Sequence, residues 1–147
     1  MLYRWGLKSL SAACMALAIA ACSRPEPEVA LRERVSALQD AIGARDPAAM
    51  QQFLSADFIG NDGMDRRAAR AYAALLMRRH PRSGVVFGPL RVDMASPGHA
   101  TVGFDAIATA GPDGPLPGHA GVYAVRTAWR DQDGEWMLYR AEWTRKL

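Results

Sequence analysis

The spacing of apolar residues changes twice along this chain and divides it into three parts. Leu10 to Ala21 is an almost unbroken apolar run of Ala, Leu, Ile, Met and one Cys. Beyond it, apolar residues recur at helical intervals. Leu31, Val35, Leu38 and Ile42 fall at i, i+4, i+7 and i+11, one stripe of an amphipathic helix with Arg32, Glu33, Arg34 and Gln39 outside it. That helix is expected to end near Gly43. Asp46-Pro47 opens a second, short helix: an N-cap acceptor, then proline at the first helical position, where its missing N–H is not needed. Met50, Phe53 and Leu54 would form its buried face. Asp57-Phe58-Ile59-Gly60 is brief and extended, and Asn61-Asp62-Gly63 is a turn. Asp65 caps a third helix reaching about His80, expected to bury Ala68, Tyr72, Leu75 and Leu76. Its last turn carries Arg78, Arg79 and His80, where the helix dipole favours cations, and Pro81 stops it.

After Gly84 the period is two. Four runs, Gly84–Met94, Ala100–Ala110, Gly121–Arg130 and Glu135–Lys146, read as strands. They are divided by Ser96-Pro97-Gly98, by the Gly/Pro loop Gly111–Gly118 and by Asp131-Gln132-Asp133-Gly134, each a turn signal. Short connections predict an antiparallel meander, and Gly88-Pro89 predicts a bulge or bend inside the first run. Three helices followed by such a sheet make an α+β domain with its helices gathered on one face.

The first apolar run has the parts of an export signal. Arg4 and Lys8 precede it with no acid, and small residues close it. About a dozen residues would cover only some 18 Å as a helix, short of the roughly 30 Å of a bilayer core. Ile19-Ala20-Ala21-Cys22 resembles the lipobox of bacterial lipoproteins, which implies cleavage before Cys22 and attachment to membrane lipid through its acylated sulfur. Ala18-Ile19-Ala20 would also suit ordinary cleavage and release, and retention of the segment is a third outcome. The expectation adopted is a signal peptide over 1–21, then a lipidated Cys22 and a tether over 22–28. Two prolines and three charges between Ser23 and Glu28 keep that tether extended. The folded domain is expected over 29–147. Ser23 is not the Asp associated with inner-membrane retention, so the lipoprotein resemblance implies a periplasm-facing domain on the outer membrane.

Processing changes the charge. Removing 21 residues from 147 leaves 126, enough for one core. Lys plus Arg falls from 18 to 16 against 15 Asp plus Glu, a net charge of about +1. The arginines are scattered among acids, so no nucleic-acid stripe is formed. Cys14 leaves with the signal and Cys22 would be acylated, which excludes a disulfide within the domain.

The element order, with Ala44-Arg45-Asp46-Pro47, Ser55-Ala56-Asp57-Phe58 and Asp133-Gly134-Glu135-Trp136-Met137-Leu138, is similar to the NTF2-like (SnoaL-like) superfamily. The resemblance spans about residues 29–146. It implies a conical α+β fold with a pocket between helices and concave sheet, often a homodimer through the sheet's outer face. No activity follows from it, because the superfamily includes both enzymes and members that only bind.

Strand alternation nominates the pocket. Tyr123, Val125, Thr127 and Trp129 form the better concave face of their strand. A two-residue turn at Asp133-Gly134 would point Trp136 and Leu138 inward. It would also bring Arg140 opposite Thr127 and Glu142 opposite Val125, on that same face. A three-residue turn would instead send Met137, Tyr139, Ala141 and Trp143 inward and Arg140 and Glu142 outward. In the first register Glu142 is the candidate general base and Arg140 a clamp, with Tyr72, Tyr123, Trp129, Trp136 and Asp57 lining the pocket. In the second the Arg140–Glu142 pair is a surface ion pair. Asp105 lies on the parity opposite to Phe104 and Ala106 and would face solvent or a partner chain, with a base role like that of the ketosteroid isomerase acid as its alternative. Asp57 could equally serve an Asx turn. His99 and His119 have no paired ligand at metal spacing, and no phosphate loop, dinucleotide fingerprint or nucleophile motif is present, so no metal or cofactor is expected. Two functions stay open: a non-catalytic module for a small apolar or amphipathic molecule or a partner protein, and a cofactor-independent isomerase, hydrolase or dehydratase.

Overall fold

The computed structural model describes residues 25–109 and 121–146. The segment expected to be an export signal, Cys22, the Gly111–Gly118 loop and His119 lie outside the described residues. Helix α1 (Pro27–Gly43) starts with proline at its first position, so the last residues expected in the tether are already helical. Leu31, Val35 and Leu38 form its buried stripe, as the spacing required. Helix α2 (Pro47–Gln51) is capped by the Asp46 side chain, which accepts from the Ala49 N–H at 3.0 Å. Helix α3 (Arg66–Arg79) is capped likewise by Asp65, accepting from Ala68 at 2.8 Å.

The far end of α3 is finished by a residue from another linker. Arg45, in the left-handed region at φ 57°, donates from its guanidinium to the carbonyls of Met77, His80 and Ser83. These include carbonyls that a helix leaves without an internal partner. One expectation fails on α3. It packs against α2 and against strand β1 (Leu54–Ile59), and Ala69 is its one buried residue. Tyr72, Leu75 and Leu76 are exposed by 42%, 36% and 39%. The helical period was read correctly, but the covered stripe runs through Ala69, Ala73 and Met77, so the larger apolar side chains fall to one flank of it.

The remaining strands are β2 (Gly84–Phe87), β3 (Arg91–Ser96), β4 (His99–Thr109), β5 (Gly121–Gln132) and β6 (Glu135–Arg145). The sheet order is β1-β6-β5-β4-β2, with β3 also paired to β4. The expected first run is thus cut in two at Gly88-Pro89, where the chain bends. The Gly88 N–H bonds to the Asp105 carbonyl at 2.7 Å, and a side chain at Gly88 would meet that oxygen at 3.2 Å. All pairs are antiparallel except one. Strand β1 lies parallel to β6, a sheet partner that the short apolar segment did not announce.

Three helices therefore pack against a mixed, largely antiparallel sheet. The core between them holds Leu31, Val35, Leu38, Phe53, Leu54, Phe58, Val102, Phe104, Trp129, Trp136 and Leu138. Thr127 and Trp129 form a buried polar pair within it. The Trp129 indole N–H donates to Thr127 Oγ1 at 2.8 Å, and that hydroxyl donates to the Val102 carbonyl at 2.7 Å.

Candidate functional site

The turn of the last hairpin is the two-residue one. Asp133 and Gly134 both have positive φ, at 56° and 89°, as a type I′ turn requires, and Trp129 faces Leu138 as expected. The register then shifts. Ala128 faces Arg140, so Tyr139 is an extra residue with no partner on β5. Past this bulge the alternation is inverted. Trp136, Leu138, Ala141 and Trp143 share the inner face, whereas Arg140 and Glu142 stand on the outer one, facing Ala128 and Arg126. Neither anticipated register describes this strand. Arg140 is not opposite Thr127, nor Glu142 opposite Val125, because the bulge consumed one residue between them and the turn.

The inner face is built of four cross-strand rows. Deepest is Met94, Ala100, Trp129 and Leu138; next come Val92, Val102, Thr127 and Ala141. The third row is Phe104, Val125 and Trp143, and the fourth Phe87, Ala106, Tyr123 and Arg145. Exposure rises along the rows. Trp129 is 0% exposed and Thr127 4%, Val125, Trp143 and Tyr123 are half-buried, and Arg145 is exposed. Cover is thus deepest at the Trp129 end and thinner at Tyr123, Val125 and Trp143, although Phe104 and Ala106 in the same rows stay buried. Trp143 is fixed there by Asn61, which donates to its carbonyl at 2.8 Å and accepts from its N–H at 3.1 Å. Gly60 lies beneath the indole, where an added side chain would be 3.4 Å from the ring.

The residues nominated from sequence are dispersed. Tyr123 is at the open end. Trp129 and Trp136 are packed core with almost no surface to offer. Tyr72 is on the exposed flank of α3. Arg140 and Glu142 pair with each other at 2.9 Å on the outer face, both more than half exposed. They border a depression of about 280 Å³ with Arg126, Thr127 and Ala128. Asp105, also on the outer face, pairs with Lys146 at 3.2 Å.

Asp57 forms no Asx turn. It accepts from the Ser55 hydroxyl at 2.7 Å and forms a two-pronged ion pair with Arg130, whose second nitrogen lies 3.0 Å from the other carboxylate oxygen. The Arg130 guanidinium, helped by the Ser55 hydroxyl, holds this carboxyl near pH 2, below its ordinary 3.8. Reciprocally, Asp57 raises the Arg130 pKa. The same guanidinium lies 5.0 Å from the centre of the Tyr139 ring, so the pair spans the bulge. Sequence reasoning sent Trp143 inward, and Arg140 and Glu142 outward as a surface pair, only in the three-residue-turn register, and it missed Arg145; the bulge brings these about behind a two-residue turn. Among the described residues, no three His, Cys, Asp or Glu side chains gather as a metal site would require.

No protein-family model matches this chain, and no curated protein sequence does. Solved structures do. An uncharacterised protein with a cystatin-like fold from Caulobacter vibrioides is 16% identical, with a TM-score of 0.69 over 83% of this chain and 91% of that one. An NTF2-like protein of unknown function from Pseudomonas putida is 19% identical, with a TM-score of 0.64 over 81% and 84%. A putative scytalone dehydratase from Novosphingobium aromaticivorans is 15% identical, with a TM-score of 0.69 over 82% and 84%. Likeness at this identity carries the architecture and not the chemistry. By its helices, its mixed sheet and its likeness to these neighbours, the chain has the NTF2-like, cystatin-like fold.

Proposed function

We propose that this chain is a lipid-anchored envelope protein whose domain holds a small apolar or amphipathic molecule in the open part of the cone without turning it over. The observation that carries the binding reading is the division between the two faces of the sheet. The inner rows are apolar and lose their cover toward Tyr123 and Trp143. The acids considered as bases, Glu142 and Asp105, are on the outer face in ion pairs with Arg140 and Lys146. Partly wetted apolar walls in a concavity are what a small-molecule site needs. The test is native mass spectrometry of protein purified from its own host. A bound organic mass is expected on the wild type and its loss on Val125→Trp, which fills the third row. A wild type that carries and takes up nothing overturns the reading.

The anchor rests on Ile19-Ala20-Ala21-Cys22 and the proline-rich tether. Because α1 opens at Pro27, five residues after Cys22, the domain would stand within roughly 17 Å of the acylated sulfur. Several acyl chains, each gaining about 0.8 kcal/mol per buried CH₂, make such attachment durable. Cys22→Ser should leave the domain folded and move it from the membrane fraction to the soluble one. A mutant that stays with the membrane rules the anchor out. Absence of Asp after Cys22 favours the outer membrane, with the domain facing the periplasm.

A further inference from the structure

Helix α3 carries three stripes along its axis. Ala69, Ala73 and Met77 form the covered one. Beside it, Ala68, Tyr72, Leu75, Leu76 and Arg79 fall at i, i+4, i+7, i+8 and i+11 and share one exposed flank. Tyr72, Leu75 and Leu76 each leave more than a third of their surface uncovered. Next to that flank runs a third stripe, Arg67, Ala71 and Arg78, exposed as well. Arg67, Arg78 and Arg79 pair with no acid among the described residues. The chain holds no Asp or Glu from Arg66 to Val92, and Asp65 just before is engaged as the N-cap. The outward side of α3 is therefore an apolar flank bordered by positive charge alone.

From this arrangement we infer that α3 is a membrane-docking face for an anionic phospholipid leaflet, with Tyr72, Leu75 and Leu76 against the acyl chains and Arg67, Arg78 and Arg79 at the phosphates. This rests on the lipid anchor proposed above and adds a second, reversible contact with the same leaflet. A helix with an apolar flank and arginines beside it lies in the plane of an interface, burying the flank while the guanidiniums stay at head-group depth. Each arginine gains from acidic head groups, whereas a neutral leaflet rewards the apolar flank alone. The path of the chain fits this contact. Arg45, just past the end of α1, donates to the carbonyls of Met77 and His80, so the last turns of α1 and α3 lie side by side. The seventeen residues of α1 cover about 25 Å from Pro27 to that point. With Cys22 only five residues before Pro27, α1 lying along the leaflet brings α3 down to it. An acidic protein could meet the same charges, but the leaflet is the surface that the anchor keeps within reach.

The test reads membrane depth at position 72. Protein purified from its own host is placed in vesicles of phosphatidylcholine, alone or mixed with phosphatidylglycerol, with and without brominated acyl chains. Tyr72→Trp adds one fluorophore at an exposed site, and the wild type supplies the background of the other tryptophans. Brominated lipid should quench the added tryptophan in the anionic vesicles and hardly at all in the neutral ones. Replacing Arg67, Arg78 and Arg79 together by Gln should weaken docking about a hundredfold and abolish the quenching. Molar salt should reduce it in the unreplaced protein. Protein that floats with the vesicles but shows no quenching at position 72 overturns the docking face and leaves the anchor standing. Equal quenching in both vesicles, or quenching that survives the triple change, overturns the assignment to an anionic leaflet. Protein that floats with neither vesicle overturns the anchor and the docking face together. A Tyr72→Trp signal that answers to polyglutamate and to neither vesicle assigns the face to an acidic protein and overturns the proposal.

Discussion

Arg130 lies over the ring of Tyr139, the residue skipped in the pairing of β5 with β6. The guanidinium is held in place by Asp57, which reaches it from β1 on the other side of β6. Three strands thus share one outer-face cluster centred on the bulge. The cluster packs against the extra residue, and the extra residue decides which side chains of β6 stand on the inner face.

The buried pair Thr127 and Trp129 gives the sharpest stability prediction. Thr127→Val leaves the Trp129 indole N–H, fully enclosed, without an acceptor. A cost of about 1–3 kcal/mol is expected, read as a fall in the urea midpoint with an unchanged slope. Combined with Trp129→Phe, which has its own cavity cost, the total loss should be smaller than the sum of the two single changes, because the orphaned donor is gone. A double mutant that loses the full sum of the two single changes speaks against this hydrogen bond.

The Asp57–Arg130 pair makes stability depend on pH in a definite window. The folded carboxyl titrates near 2 and an unfolded one near 3.8. Its stabilisation is therefore complete above about 3.8 and lost as pH falls toward 2. The carboxylate is mostly exposed, so solvent screening keeps the pair's contribution within the ~1 kcal/mol of exposed pairs. Asp57→Asn should be less stable than the wild type at pH 6, and the difference should shrink below pH 3.8 and close only as pH falls through 2. A difference that persists unchanged at pH 2.5 argues that packing, not charge, is responsible.

Glu142→Gln separates binding from turnover. On the outer face, paired with exposed Arg140, Glu142 should be replaceable at under about 1 kcal/mol, with ligand affinity unchanged. Should a reaction be found, loss of turnover with retained binding in this variant would restore the enzymatic alternative.

The outer face also bears on assembly. Val86 and Ile107 are paired neighbours, exposed by 52% and 44%, and Val122 continues their row on β5. If two copies associate through this face, Ile107→Glu should convert a dimer to a monomer in sedimentation or light scattering. An oligomeric state indifferent to that change excludes this row from the interface.

Much of the architecture was legible in the residues. The Leu31-Val35-Leu38 stripe, the Asp46 and Asp65 caps, the bend at Gly88-Pro89 and the Asp133-Gly134 turn are local signals, and each acts where its chemistry predicts. What depended on non-local packing was not legible. The face of α3 that would be buried is set by α2 and β1, and the parallel pairing of β1 by β6. The bulge left a trace that was passed over. Trp136, Leu138, Ala141 and Trp143 are spaced two, three, two, and a step of three inside a strand is the mark of an extra residue. Without that step, one alternation put Arg140 and Glu142 in the cone, and the other sent Trp143 inward and that pair outward only by turning Trp136 and Leu138 out as well.

The break at Gly88-Pro89 has a consequence for crowding. A long, straight outer strand would be a template on which another chain could extend the sheet. Here that border is divided into β2 and β3, four and six residues long, with a proline between them. The opposite border, β1, is covered in part by α3. Among the described residues, neither border offers a long unbroken edge strand, which disfavours polymerisation of the protein through its margins at high local concentration.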